Sequence, residues 1–290
     1  MLKNNFFKYF NRDQMSVIGM IHVRPLPGTP CASRNHGHCF DIQQLIDHAC
    51  NDALIYLRNG IHGILVENMF DIPYIQSEDS GPEITACMTR ICTELRRIIP
   101  SEIPCGIQIL AGLNQQALAV TQACQFQFIR TEGFIFSHVA DEGLMPKACA
   151  GPLLRYRRQI DAEQILILSD IKKKHCSHSI TDDLNLVEMA KAAKFFLTDG
   201  IIITGRETGD PPSINDIDQI NQSSMIDDNQ SIPILIGSGV TEQNLCRFFD
   251  KNIAAIIVGS YFKQNGKWFN HLSEERIKCF MYKYNQLQRK

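Results

Sequence analysis

Several features are scarce in this chain. Its 290 residues hold no apolar run longer than a few positions, such as Ile201-Ile202-Ile203 and Ile165-Leu166-Ile167-Leu168. A membrane-crossing helix needs about 20 such residues, so no integral membrane segment is expected. Neither sign of charge dominates: 29 Lys and Arg face 31 Asp and Glu, a formal net charge of −2. Neutralising a phosphate backbone requires a basic excess, which argues against a nucleic-acid binder. The 11 cysteines are odd in number, scattered, and form no Cys-x-x-Cys pair. A disulfide-framed secreted domain would be smaller and show paired spacing. Reduced thiols and a cytoplasmic setting are expected, with a mitochondrial one as the alternative. The opening MLKNNFFKYFNRD has no apolar core of a secretory signal, yet it sets Lys3, Lys8 and Arg12 among Phe and Tyr in the manner of a short presequence. Residues 1–15 therefore read as an extension, disordered or targeting, ahead of one domain over 16–290.

What is present is a strict alternation. Short β-rich apolar runs fall at Ser16–His22, Gly63–Glu67, Cys105–Leu110, Phe126–Arg130, Ile165–Asp170, Gly200–Thr204, Pro233–Gly237 and Ala254–Gly259. Segments of helical spacing follow at 41–59, 82–99, 114–124 and 151–160, then from about Thr181, and at 213–225, 241–249 and 273–287. Near-continuous apolar strands are those buried on both faces of a parallel sheet, and each parallel crossover needs a helix. Eight strand–helix units predict an α/β fold, a single-domain (β/α)8 TIM barrel. An open doubly wound sheet is the runner-up.

In such a barrel the chemistry sits where the strands end. Those ends supply His22, Glu67 with Asn68 and Asp71, Gln108, Arg130 with Glu132, Asp170, Thr204, Ser238 and Ser260. At the seventh and eighth ends, Gly237-Ser238-Gly239 and Gly259-Ser260 are glycine turns, the first leading into a helix start. Freed backbone N–H groups there predict a phosphate site. The loop carrying Thr204, Gly205, Thr208 and Gly209 would extend the cradle to phosphate or sugar. Asp170 and Lys172 share one face of an extended segment, so a carboxylate and an ammonium would lie together for proton transfer or for a Schiff base. His22 and Glu67 end adjacent strands, as a base and its orienter would. Those four are the catalytic candidates. His36-Gly37-His38-Cys39 and His175-Cys176-Ser177-His178 lack the spacing of a structural zinc site, so no metal ligand is assigned. A divalent cation such as Mg²⁺, held by Glu67, Asp71 and Asp170 with substrate phosphate, is the one cofactor reading left open.

Taken together, several segments are similar to the BtpA/SgcQ family. They are Val17–His22 with Pro25–Gly28, Val66–Met69 with Asp71 and Pro73, Leu153–Arg158, and Ser169–Lys172 with Lys174-His175. Thr204-Gly205 with Thr208–Pro212, Gly237–Thr241 and Val258–Ser260 complete the set, in order over residues 16–262. The resemblance implies a barrel of the phosphate-binding type, but it supplies no reaction. Cyanobacterial members are linked to photosystem I biogenesis, and bacterial relatives to sugar-uptake gene clusters. Phe136–Gly143 resembles the non-photosynthetic, animal-type version. Arg130-Thr131-Glu132 departs from the Arg-Val-Asn of bacterial members, so no role is carried over for that loop. Two functions stay in play. One is an enzyme on a phosphorylated sugar or nucleotide-like metabolite, by lyase, isomerase or glycosyl-transfer chemistry. The other is a non-catalytic assembly factor, a homo-oligomer being compatible with either.

Overall fold

A computed structural model of the chain describes residues 5–30, 32, 41–205, 207–223 and 232–289. The His36-Gly37-His38-Cys39 stretch, Arg206 and Met225 lie outside the described residues. In chain order the structure runs α1 (Phe6–Tyr9), β1 (Ser16–His22), α2 (Ile42–Arg58), β2 (Gly63–Glu67), α3 (Pro82–Ile98), β3 (Cys105–Gln108), α4 (Asn114–Ala123) and β4 (Phe128–Thr131). A hairpin, β5 (His138–Ala140) and β6 (Gly143–Met145), precedes α5 (Ala150–Gln159) and β7 (Leu166–Ile171). Then come β8 (Cys176–Ser177), α6 (Leu186–Phe195), β9 (Gly200–Ile203), α7 (Ile214–Gln222), β10 (Ile234–Ile236), α8 (Cys246–Phe249), β11 (Ala255–Val258) and α9 (Glu274–Gln288).

Eight strands close on themselves in the order β1-β11-β10-β9-β7-β4-β3-β2, with every neighbour parallel. The barrel is therefore closed, as the alternation predicted, and the open sheet is excluded. Every residue of β1, β2, β7 and β9 is buried, because one face packs into the barrel and the other against helices. Helix starts follow local chemistry. The Asp41 carboxylate accepts from the Gln43 N–H, and Pro82 opens α3, where a missing N–H costs nothing.

Three differences from the sequence reading have local causes. The helix expected from about Thr181 begins instead at Leu186, because Asn185 and Glu188 form a reciprocal capping box there. The helix expected over 241–249 shrinks to the four residues of α8. The Asn244 side chain accepts from Thr241 N and donates to Gly239 O, which holds 239–244 as a turn. The segment between the fourth strand and α5 contains the hairpin β5–β6, which joins β8 in a small antiparallel sheet. Strands of two or three residues leave no periodicity to read.

Residues 1–15 read as an extension, but Phe6 and Phe10 are buried in the barrel. Their stacked rings join Ile18, Leu65, Phe128, Leu168, Ile202 and Ile257 in the interior cluster. Each buried aromatic removes some 150–250 Å² of apolar surface from water, so this part of the segment belongs to the core. The opposite end of the barrel, where the strands finish, collects the ionisable residues.

Candidate functional site

The strand ends enclose two adjoining cavities. The larger, about 210 Å³, lies beside β1, β10 and β11 and is lined by His22, Glu67, Gly239, Gly259, Ser260 and Arg276, among others. The smaller, about 70 Å³, lies toward β3 and β4 and is lined by Gln108, Glu132, Glu142 and Lys173. Glu67, Arg130, Lys174 and Thr208 border both, so the two form one mouth.

At the β10 end the chain turns on glycines for steric reasons. A methyl group at Gly237 would stand 2.6 Å from Ile202 Cγ2 and 3.3 Å from an Arg130 nitrogen. Gly239 takes φ +72, and any Cβ there would overlap the Asp210–Pro211 backbone. The backbone N–H groups of Gly239, Val240, Ser260 and Tyr261 make no hydrogen bond among the described residues. All four line the larger cavity, so they point to an anion-binding nest of backbone amides. With α8 only four residues long, helix-dipole help for this nest drops out. Two cations replace it, Arg130 and Arg276. Arg276 is set at the rim by its Nε donating to Tyr261 O and by its guanidinium lying 4.3 Å over the Tyr261 ring.

Beside the nest, His22 Nδ1 lies 3.1 Å from Trp268 O. Burial drives the imidazole pKa well below its usual value, and the Lys263 charge adds to the shift, so the ring is neutral at pH 7. A carbonyl only accepts, so the proton is assigned to Nδ1, and the Nε2 lone pair faces Glu67 Oε2 at 3.9 Å. Burial raises the Glu67 carboxyl above the ordinary carboxylate range, with Arg130 and Lys174 drawing it part of the way back. A neutral base beside a carboxyl that holds its proton more tightly is an arrangement suited to proton transfer.

Asp170 is placed differently. Both its oxygens accept from Arg130, at 3.0 Å from Nε and 3.0 Å from another guanidinium nitrogen. Burial opposes the Arg130 charge, but the facing carboxylate outweighs it and holds that pKa up. Asp170 therefore orients an arginine and is not a free base, which corrects its sequence assignment.

Lys172 is also corrected. Its backbone turns left-handed, at φ +48, just past the end of β7, so the alternation that would align it with Asp170 stops there. Lys173 instead pairs with Glu132 at 3.0 Å, and Lys174 enters the mouth with Nζ donating to Thr208 Oγ1 at 3.2 Å. Burial, and then Arg130, lower the Lys174 pKa.

The remaining sequence candidates divide into lining and support. Thr208, Gly209, Gly237, Ser238, Gly239, Gly259 and Ser260 line the larger cavity. Ser238 does so with its hydroxyl already engaged, accepting from Gly205 N and donating to Asp210 O, so it ties two loops together. Thr204 accepts from Lys174 N and thus steadies the lysine. Asn68 is fully buried, bonded to Leu110 N and Asp71, and reaches neither cavity. Asp71 accepts from Leu26 N, Thr29 and Asn68, and Asp170 is taken by Arg130, so Glu67, Asp71 and Asp170 do not form a free carboxylate set. Among the described residues no group of three His, Cys, Asp or Glu is placed to hold a metal ion. Sequence reasoning gave no role to Arg130, Glu132, Gln108 or Lys174, although all stand near strand ends. Arg276 comes from α9, and nothing in the sequence pattern marks it.

Comparison with known proteins agrees with this architecture. Among solved structures, thiamine phosphate pyrophosphorylase from Pyrococcus furiosus superposes with a TM-score of 0.55 at 9% identity, covering 95% of this chain and 98% of its own. Phosphoribosyl anthranilate isomerase from Thermus thermophilus gives 0.54 at 10% identity, covering 94% and 100%. Both are alike in fold. In sequence, an uncharacterized mitochondrial protein of Caenorhabditis elegans is 42% identical over 285 residues, 97% of each chain. An uncharacterized protein of Archaeoglobus fulgidus is 31% identical over 87% of this chain and 93% of its own. The photosystem I biogenesis protein BtpA of Synechocystis is 29% identical over 91% of this chain and 86% of its own. The BtpA family profile matches residues 13–286, and the chain belongs to the BtpA family.

Proposed function

We propose that this protein is an enzyme acting on a phosphorylated sugar or nucleotide-like metabolite. Its phosphate sits in the nest of Gly237–Val240 and Gly259–Tyr261, and His22 and Glu67 move the proton. The observation that carries the reading is the pairing of unfilled backbone donors and two arginines with a neutral histidine facing a buried carboxyl. The names of two structural neighbours, thiamine phosphate pyrophosphorylase and phosphoribosyl anthranilate isomerase, concern phosphorylated compounds and lend support. Lyase, isomerase and glycosyl-transfer steps on such substrates commonly use a positioned acid or base to move a proton. Lys174 adds a desolvated amine at the same place.

The test is a thermal-shift screen of phosphorylated sugars, nucleotides and their free counterparts, with and without Mg²⁺. The cation is included because the Glu67 carboxylate lines the nest cavity. A ligand at 100 times its Kd adds about 2.7 kcal/mol, a shift of several degrees. The Ser260→Asp variant, which places a carboxylate in the nest, should abolish the shift. A shift that survives in this variant places the phosphate elsewhere, and no shift with any phosphorylated compound refutes the reading.

A second reading, as an assembly factor, draws on the name of the Synechocystis relative and on one surface feature. Phe195, Phe196 and Leu197 are 80%, 48% and 52% exposed in succession. They end α6 ahead of β9, on the side of the barrel away from the mouth. If that patch serves homo-oligomer formation, Phe195→Ser yields a monomer by light scattering. An unchanged mass for this variant speaks against it. A mitochondrial setting, suggested by the name of the worm relative, is checked by imaging the full chain carrying a C-terminal fluorescent tag.

A further inference from the structure

Among the described residues, nothing satisfies several hydrogen-bond acceptors on residues that line the smaller cavity. Gln108 and Glu132 end β3 and the turn after β4, only 3% and 6% exposed. Gln108 Nε2 donates to Glu132 Oε1 at 3.2 Å, and Lys173 Nζ meets the same oxygen at 3.0 Å. The Glu132 carboxylate fixes which way the Gln108 amide points, since a carbonyl turned toward it would be repelled. Among the described residues Gln108 Oε1 and Glu132 Oε2 are left without partners, and so is Glu142 Oε2 on the neighbouring hairpin. Leaving such groups buried and unpaired costs about 1–3 kcal/mol each, so the site has strong reason to receive donors.

We infer that this cavity is a recognition subsite for the hydroxyl-bearing end of the substrate, so that the molecule bound is a polyhydroxylated phosphate ester spanning the mouth. The inference rests on the phosphate reading given above and adds the other half of the ligand. The three residues that carry these acceptors come from three elements and line one cavity of about 70 Å³. Carboxylate and amide oxygens only accept here, so the groups they bind must donate, and a vicinal diol supplies two donors side by side. Its position completes the picture. Glu67, Arg130, Lys174 and Thr208 border both cavities, so a ligand anchored at the nest and at this end lays its middle carbons against Lys174 and Glu67. The two anchors then set which bond meets the proton-transfer groups.

Calorimetric titration of the full chain with ribose 5-phosphate and with ethyl phosphate tests it, in the wild type and in Gln108→Met and Glu142→Gln. The wild type should bind ribose 5-phosphate at least about tenfold more tightly than ethyl phosphate, as a site built to bond hydroxyls discriminates against their absence. Gln108→Met should remove most of that preference without changing ethyl phosphate affinity. Glu142→Gln, on the hairpin and outside the barrel wall, should weaken the preference in a variant whose folding is less at stake. Equal affinity for the two probes in the wild type overturns the subsite and leaves the phosphate reading standing. If neither phosphate binds, the phosphate reading fails. Saturation-transfer NMR with ribose alone then decides the subsite. A signal lost in Gln108→Met sustains it, and no signal in the wild type overturns it. A preference for an aminoalkyl phosphate over ribose 5-phosphate also overturns it, in favour of an ammonium.

Discussion

The two ends of one barrel are built on opposite principles. At the end where the strands begin, Phe6 and Phe10 close the interior with apolar surface. At the end where they finish, His22, Glu67, Arg130, Glu132, Asp170, Lys173 and Lys174 crowd together, nearly all buried. Burying one aromatic ring lowers the energy of the fold, whereas burying one charge raises it unless a partner stands opposite. The mouth meets that cost with the Arg130–Asp170 and Lys173–Glu132 pairs, yet among the described residues Lys174 forms no ion pair and several acceptor atoms have no hydrogen bond. A barrel that needed only to be stable would not retain such groups, so the difference between the ends separates stability from function.

Breaking the mouth pair should have the largest effect. Asp170→Ala leaves the Arg130 guanidinium buried without a partner and should cost about 3–5 kcal/mol in urea unfolding, together with phosphate-ligand binding. A cost below about 1 kcal/mol would show the pair to be dispensable. Phe6→Ala at the other end should cost a similar 3–5 kcal/mol, from a cavity in place of a ring, while ligand-induced thermal shifts persist. Loss of those shifts in Phe6→Ala would mean that the two ends are not independent.

A smaller effect sharpens the contrast within the mouth. Ser238→Ala removes the hydroxyl joining Gly205 N to Asp210 O, and should lower stability by about 1–3 kcal/mol and weaken ligand binding indirectly. Full stability in this variant would return Ser238 to the role of a direct phosphate ligand. A further effect is one of pH. Burial, and then the Lys173 charge, push the His138 pKa down to about 4 from an ordinary value of 6.5. Its folded pKa lies below its unfolded one, so the unfolded chain takes up the proton first as pH falls. The stability it lends is complete above pH 6.5 and drains away toward pH 4. His138→Gln should flatten that part of the stability-against-pH curve. An unchanged slope would rule His138 out as its source.

Much of this molecule is legible in its sequence. Alternating apolar runs and amphipathic segments specify the eight-stranded barrel, and strand-end positions locate the mouth, because both depend on local periodicity and on a fold rule. His22, Glu67 and the Gly237 and Gly259 turns emerge the same way. Other site residues do not. Whether Asp170 is a free carboxylate depends on Arg130, 40 positions away, reaching across from β4 to β7. Which lysine enters the mouth depends on a left-handed residue at Lys172, and that conformation has no glycine to announce it. The Arg276 rim comes from the last helix folding back over the β11 turn.

By itself, then, the sequence determined the barrel, its register of inside and outside, and the end at which polar groups gather. Those properties follow from the period of each segment. The tertiary structure alone decided which of those groups are spent on one another and which remain open, because pairing across strands is settled by distances the chain order does not encode. The open ones, an amide nest at one side and unpaired acceptors at the other, are where a ligand has something to satisfy.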